Sequence, residues 1–361
     1  MLSKLKHISN SYPLVPFLLI ATLIIAIFGG YQGLSLASEQ WLVQVQKLAF
    51  SLNSPTAQSF QDALHSAHPH LDLIGALWLR LLPLSNAALS LTILSSLATL
   101  IAITSLWRII SRLTHNNTLI TTVASLHFLL LPATISQLQG PSVTMLALMF
   151  WLVTWDMCTL EKPRWWHMGG AWIAGGIALG SWSPMLLWAA LLLLASLQSH
   201  TRKDAVNHTQ AGTIQASSVP AYILLCVPLV PLVATITHPG LLTSPKDGWL
   251  AVLSTAWLKY PLAKEGVALG GHWYEMAKVP FLTSLLLSLK ALPLTSLLLG
   301  IPGALYALHP RHASAHTKML IYSILFMLIA LWAVPGAGDY GSISQVTLML
   351  APASMLVACG L

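Results

Sequence analysis

The feature that most constrains this chain is a series of long apolar runs separated by short polar stretches. About ten of these runs reach the ~19 residues that a helix needs to cross a bilayer. Only 7% of the 361 residues are charged, against roughly 25% in a soluble domain. Since backbone polar groups in lipid must be satisfied inside each helix, we predict an all-α fold, a polytopic bundle of about ten transmembrane helices. The runs are residues 12–30, 87–110, 118–135, 142–160, 165–181, 183–199, 218–237, 279–308, 318–335 and 343–360.

The distribution of lysine and arginine predicts how this bundle is oriented. With the N-terminus in the cytoplasm, each even-numbered run ends at a basic cluster, as the positive-inside rule requires. Two long loops, 31–86 and 238–278, then lie on the opposite side of the membrane. No linker between folded units is visible, so we predict a single domain over residues 1–361. The basic residues at the cytoplasmic ends are Lys4, Lys6, Arg108, Arg112, Lys162, Arg164, Arg202, Lys203, Arg311 and Lys318.

The first long loop, residues 31–86, is predicted to be folded. After Glu39, apolar residues recur at helical spacing, which predicts an amphipathic helix over 40–52 on the membrane surface. The later stretch 71–82 is apolar but only about twelve residues long, which is too short to span a bilayer. We expect it to be a half-buried juxtamembrane helix that ends at Pro83. The regularly spaced apolar residues of the first helix are Leu42, Val45, Leu48, Ala49 and Leu52.

Cysteine and histidine spacing indicates neither a disulfide framework nor a metal site. The three cysteines, Cys158, Cys226 and Cys359, lie in or beside apolar runs and form no CxxC pair. His68 and His70 are two positions apart, whereas a helical metal-binding pair needs the spacing i, i+4. No cofactor is predicted; the histidines leave a divalent metal open without indicating one. The net charge of +7 is scattered along the chain, so no nucleic-acid partner is expected.

The order of several motifs along nearly the whole chain resembles one family. Glu39 stands near the start of the first loop, and a His-Pro-His-Leu turn, 68–71, precedes the second run. A glycine-rich segment, 174–180, is followed by Pro184, and Asp339-Tyr340-Gly341 precedes the last run. This order is similar to that of the GT-C superfamily of membrane glycosyltransferases. The resemblance is strongest to the bacterial relatives of protein O-mannosyltransferases (glycosyltransferase family 39-like) and of the lipid A aminoarabinose transferase.

The resemblance implies both a fold and an activity. Such enzymes transfer a sugar from a polyprenyl-phosphate sugar to an extracytoplasmic acceptor, with inversion at the sugar carbon. We therefore expect a GT-C-like, multi-pass enzyme of the bacterial inner membrane, whose partners are the lipid donor and a protein, lipid or glycan acceptor. Glu39 is the expected general base, and Asp339 is the second candidate catalytic carboxylate. The alternative for Glu39 is a solvated glutamate at a helix start, where negative charge is favoured.

The same reaction would need groups that bind the donor and the acceptor. A lipid phosphate leaving group calls for cations, and the histidines after the first-loop turn could orient an acceptor. For each basic residue, anchoring to lipid headgroups explains its position equally well. The predicted substrate-binding residues all lie on the extracytoplasmic side: His68, His70, Arg80, Lys259, Lys278, Lys290, Trp273 and Tyr274.

Two other functions stay open. The family commonly carries an Asp-Glu pair in the first loop, where this chain has Ser38-Glu39, so a catalytically silent GT-C-like scaffold is one alternative. A transporter of a lipid-linked substrate is the other, although the runs hold few charges and no inverted repeat is visible. Two polar residues inside runs receive structural interpretations. Asp156 is expected to pair with Arg108 or Lys162, and His127 to be satisfied within the bundle.

Overall fold

The computed structural model of the protein describes residues 36–51, 69–114, 116–158, 160, 165–181, 267–269, 272–274, 294–308 and 343–361. These residues contain nine helices and one short hairpin. In chain order the elements are α1 Leu36–Ser51, α2 Pro69–Leu81, α3 Ala87–Leu113, α4 Thr118–Leu130, α5 Pro132–Leu138, α6 Val143–Cys158, α7 Trp165–Ser181, β1 Val267–Leu269, β2 His272–Tyr274, α8 Leu294–Leu308 and α9 Ile343–Gly360. The predicted helical fold is thus confirmed for the described part of the chain, apart from the hairpin.

Helix α3 is the longest described element, and six of the other described helices pack against it. It has 27 residues, which corresponds to a length of about 40 Å. Asn86 caps its start by accepting a hydrogen bond from the Leu89 backbone N–H at 3.2 Å. Among the described residues, α3 is the one helix long and apolar enough to cross a membrane. The predicted spans at 12–30, 183–199, 218–237 and 318–335 lie outside the described residues.

Helices α3 and α6 run side by side in the same direction. Near their N-terminal ends, the Ser142 backbone N–H donates to Ser95 Oγ at 2.8 Å. Near their C-terminal ends, Arg112 donates to the Asp156 carbonyl oxygen at 3.0 Å. Since N-terminal end meets N-terminal end and C-terminal end meets C-terminal end, the two helices are parallel. The chain between them must therefore run back from the end of α3 to the level of its start.

Helix α4 makes that return. The connection from α3 is tight: Asn116 adopts a left-handed backbone conformation with φ of 65°, and Asn117 caps α4 by accepting from the Ile120 N–H at 3.2 Å. The predicted run 118–135 is then divided at Leu131, which is extended, and Pro132 begins α5. The division follows because a residue before proline disfavours the helical conformation.

Helix α7 packs antiparallel against α6. Gly170 lies against Met157, and Gly175, one turn and a half later, lies against the earlier residue Thr154. Helices α3, α4, α6 and α7 therefore alternate in direction.

Two apolar cores lie at opposite ends of α3. One core joins the second half of α3 to α4, α6 and α9, and its largest members include Trp107, Trp151 and Trp155. The rings of Trp151 and Trp155 meet edge to face with centroids 5.4 Å apart. The other core joins α1 and α2 to the first halves of α3 and α6; its buried members include Trp41, Val45, Leu48, Leu71, Ala76, Leu91, Leu94, Ala98, Leu146 and Ala147.

Helices α8 and α9 approach each other unusually closely. An added Cβ at Gly303 would overlap the Leu356 carbonyl oxygen, and one at Gly360 would overlap the Leu299 carbonyl oxygen. Small residues permit such backbone contact between helices in membranes. The two helices run in the same direction, because Ser296 and Ser354 both contact His127, and Gly303 and Gly360 then meet about two turns later.

The hairpin lies within the predicted second loop, 238–278. Its two strands are antiparallel, with Val267 opposite Tyr274 and Leu269 opposite His272. In sequence the strands are separated by Gly270-Gly271, a two-residue pair typical of hairpin connections. The sequence analysis did not predict these strands, because three residues are too few to show a period of two.

Candidate functional site at the first-loop helices

Helix α1 buries one apolar face and exposes a face that mixes polar residues with Val43 and Phe50. Trp41, Val45 and Leu48 recur at helical spacing and are buried, which confirms a helix at the predicted place. Gln46 and Lys47 are exposed on the other side. Glu39 lies in the first turn of α1 and is exposed, where its charge is favoured by the helix dipole.

Helix α2 begins at Pro69, a residue suited to the first position of a helix because its missing N–H needs no partner there. His70 and Asp72 follow in the first turn, and both are buried, with only 3% and 2% of their surface exposed. Arg80 lies in the last turn and is exposed. With 13 residues, α2 is about 20 Å long, which agrees with the prediction that 71–82 is too short to span.

A hydrogen bond from Trp41 to Asp72 joins the two helices. The indole Nε1–H donates to Asp72 Oδ1 at 2.8 Å in a buried setting. Beside it, a Cβ at Gly75 would stand 3.1 Å from both γ-methyl groups of Val45 and 3.3 Å from Cζ2 of Trp41. Gly75 therefore lets the two backbones approach, and the bond places the start of α2 near the start of α1.

The sequence analysis missed this pair. Asp72 is an acid within an apolar stretch, and a buried carboxylate needs hydrogen-bond donors, so the sequence did carry a signal that Asp72 has a partner. The partner itself lies 31 residues away, and no periodic pattern links positions that far apart.

A second indole fixes α2 to α3. Trp78 Nε1 donates to the Ser90 carbonyl oxygen at 2.8 Å, and Ser90 Oγ donates to the Leu82 carbonyl oxygen at 3.0 Å. These bonds satisfy backbone groups on both sides of the short connection that contains Pro83. The first-loop helices are thus attached to the bundle at the N-terminal end of α3.

The described structure covers half of the ten predicted site residues. Glu39 and Arg80 are exposed and His70 is buried, while Trp273 and Tyr274 form part of β2. The first turn of α1, with Glu39, and the first turn of α2, with His70, come together through the Trp41–Asp72 bond. Glu39 itself projects away from that bond, since residues two apart point about 200° apart around a helix. His68, Lys259, Lys278, Lys290 and Asp339 lie outside the described residues.

A separate ionic cluster lies at the opposite end of α3 and α6. Arg112 contacts the Asp156 carboxylate and also its backbone carbonyl oxygen, and Arg108 Nη1 lies 2.9 Å from Asp156 Oδ2. The expected pairing of Asp156 with Arg108 is confirmed. Arg112 is a second partner that the sequence analysis did not assign.

His127 is half-buried and connects three helices. Its Nδ1 lies 3.1 Å from Ser354 Oγ on α9, and its Nε2 lies 2.9 Å from Ser296 Oγ on α8. Both ring nitrogens therefore have hydroxyl partners, which confirms the interpretation of His127 as a satisfied bundle histidine.

Among the residues that the structure describes, no group of three or more His, Cys, Asp or Glu side chains could hold a metal ion. Comparison with known proteins adds no relative: no protein-family model matches the chain, and no curated protein matches it in sequence.

Proposed function

We propose that this protein is an integral membrane glycosyltransferase of the bacterial inner membrane. It would transfer a sugar from a polyprenyl-phosphate sugar to an extracytoplasmic protein, lipid or glycan acceptor, with Glu39 as general base. The observation that carries the proposal is the attachment of α1 to α2 through Trp41 and Asp72, which leaves Glu39 exposed on a helix held against one end of the bundle.

The chemistry explains why this arrangement suits the reaction. The donor phosphate lies at the level of the lipid headgroups, whereas the acceptor hydroxyl arrives from water, so the base must face water at the membrane edge. A general base also works best on a rigid element, because it must lie within hydrogen-bond reach of the proton that it removes. The apolar face of α1 is buried in the core that includes Leu91 and Leu94 of α3, which restrains Glu39 without burying it.

The direction of the helices supports an extracytoplasmic location for α1 and α2. The Arg108, Arg112 and Asp156 cluster lies at the C-terminal ends of α3 and α6, and arginine is enriched at cytoplasmic membrane edges. The first-loop helices pack at the other end of α3, which would then face away from the cytoplasm.

The remaining residues take roles around the same reaction. Arg80 is exposed at the end of α2, where its guanidinium can bind a phosphate oxygen of the leaving lipid. Lys259, Lys278 and Lys290 are proposed for the same task, with Trp273 and Tyr274 against the sugar. His68 and His70 would orient the acceptor, and Asp339 is the second carboxylate.

The test is sugar transfer in membranes from a panel of radiolabelled polyprenyl-phosphate sugars, comparing wild type with Glu39→Gln. This substitution preserves size and removes the base, so we expect a loss of about 100-fold or more. Lys47→Gln is the matched control, since Lys47 is charged and exposed on the same helix, and it should retain full activity.

Two outcomes would contradict the proposal. Unchanged transfer by Glu39→Gln would exclude Glu39 as the base and make Asp339 the next candidate. A folded wild-type protein that uses no donor in the panel would favour the silent scaffold.

A further inference from the structure

The arginine-rich end of α3 has a feature that the proposed reaction does not use. Arg112 holds Asp156 through both its carboxylate and its backbone carbonyl oxygen. Within the described part of the chain, Arg108 makes one ion-pair contact, from Nη1 to Asp156 Oδ2 at 2.9 Å. The Arg108 side chain is 48% exposed, compared with 20% for Arg112. A guanidinium has five N–H donors, so most of the donors of Arg108 remain on its exposed side.

These three side chains carry an excess of positive charge. Two arginines surround one carboxylate, which leaves a net charge of +1. Asp156 also restrains the Arg108 guanidinium through the contact between Nη1 and Oδ2. The result is a half-exposed cation near the end of a hydrophobic helix.

A stripe of two exposed apolar side chains, followed by half-buried Thr104, leads along α3 to Arg108. Leu97 and Ile101 are 41% and 48% exposed, and at 100° per residue they lie within about 40° of Arg108 around the helix. The stripe from Leu97 to Arg108 is about 16 Å long at 1.5 Å per residue, close to the ~15 Å half-thickness of a bilayer core. In the other direction, Arg108 lies about 30 Å from Ala87, which matches the full core.

We propose that this face of α3 binds one anionic diacyl phospholipid of the cytoplasmic leaflet. Its phosphate would accept hydrogen bonds from Arg108, and an acyl chain would lie along Ile101 and Leu97. An anionic phospholipid supplies both a negative charge for Arg108 and an acyl chain as long as the stripe. A protein helix on the same face would need an acidic residue opposite Arg108 on an otherwise apolar surface. The proposal rests on the membrane location given under the proposed function, but not on Glu39 or on sugar transfer.

The experiment is native mass spectrometry of the full-length protein in detergent, titrated with phosphatidylglycerol. We expect wild type to retain one phosphatidylglycerol at least about fivefold more strongly than Arg108→Gln, the effect of one arginine near an anionic headgroup. Lys47→Gln, which removes an exposed cation from α1, should retain the lipid like wild type. Ile101→Asn should weaken retention while leaving Arg108 in place.

Each other result overturns the proposal. Equal retention by wild type and Arg108→Gln would mean that the face is covered by another part of the chain or contacts only bulk lipid. Displacement of phosphatidylglycerol by millimolar inorganic phosphate would mean that Arg108 binds a free anion and that the apolar stripe plays no part. Circular dichroism of the three variants verifies that they are folded. The outcome of the Glu39→Gln transfer assay does not depend on the outcome of this lipid-binding experiment.

Discussion

At the scale of single residues, Asp156 shows how this chain keeps a carboxylate in an apolar environment. Its side chain is 4% exposed, and an ionised carboxylate is stable there only because charged donors surround it. Arg108 and Arg112 lie on α3, one helical turn apart, so both can reach the same carboxylate. Glu39 is the opposite case, since it is exposed and its charge is solvated.

Removing the Asp156 carboxylate should be costly because it takes away an anion that the mostly buried Arg112 contacts. For Asp156→Ala we expect a loss of about 3 kcal/mol, the lower end of the range for breaking a buried ion pair, since half-exposed Arg108 can turn to solvent. Denaturant unfolding in a fixed detergent measures it. The double variant Arg112→Met with Asp156→Leu should recover part of the loss, and an Asp156→Ala stability within ~0.5 kcal/mol of wild type would contradict the account.

At the scale of helices, the contact between α8 and α9 depends on the absence of side chains at Gly303 and Gly360. Gly169 in α7 has no such role, because nothing lies within 4 Å of a Cβ added there. The same substitution should therefore have opposite effects at the two positions.

Gly303→Ala should destabilise the protein by about 1–3 kcal/mol, the usual effect of overpacking, because its methyl group would overlap the Leu356 carbonyl oxygen. Gly169→Ala is the matched control and should be neutral or stabilising by up to ~1 kcal/mol, since alanine favours the helix. Thermal unfolding of both variants in the same detergent provides the comparison. Equal shifts at the two positions would exclude close packing of α8 on α9.

Helix positions were largely predictable from hydrophobic runs, whereas helix partners were not. The predicted runs 165–181 and 343–360 have the bounds of α7 and α9, since polar residues that interrupt an apolar run mark where such a helix ends. Pro132 divides the predicted run 118–135 into two helices. This local signal was overlooked because the run as a whole is long and apolar. The partner of Asp72 and the second partner of Asp156 depend on how helices rotate against each other, and this rotation is decided by packing between distant segments.

For the candidate site, too, local position was predictable from the sequence and packing was not. Glu39 was placed correctly at a helix start and on the exposed face, because its neighbours follow a clear helical period. The burial of His70 was not predicted, since it results from the packing of α1 and α2 around Trp41 and Asp72.

At the scale of the whole molecule, helix direction separates two ends with different chemistry. One end carries the first-loop helices with exposed Glu39 and Arg80. The other carries the Asp156 ion cluster and the tight turn at Asn116. Because α3 and α6 run parallel, both helices begin at the first of these ends and finish at the second. In the proposed topology the two ends would face opposite sides of a bilayer.

Cysteine labelling in intact cells tests this separation. After Cys158, Cys226 and Cys359 are replaced by serine, single cysteines are introduced at exposed Gln46 and exposed Thr118. A membrane-impermeant thiol reagent should label Gln46→Cys from outside the inner membrane, and Thr118→Cys only after permeabilisation. Labelling of both positions from the same side would contradict the proposed topology.

The ion cluster also has a consequence for how the protein is made. Arg112 precedes Asp156 by 44 residues in the chain. At about 5–20 residues per second, a ribosome needs roughly 2 to 9 seconds to cover that interval. In the proposed topology, α3 exists during this time without the carboxylate that later contacts Arg108 and Arg112, and its charged end would lie at the lipid headgroups. The ion cluster that joins α3 to α6 could then form only after Asp156 has been made.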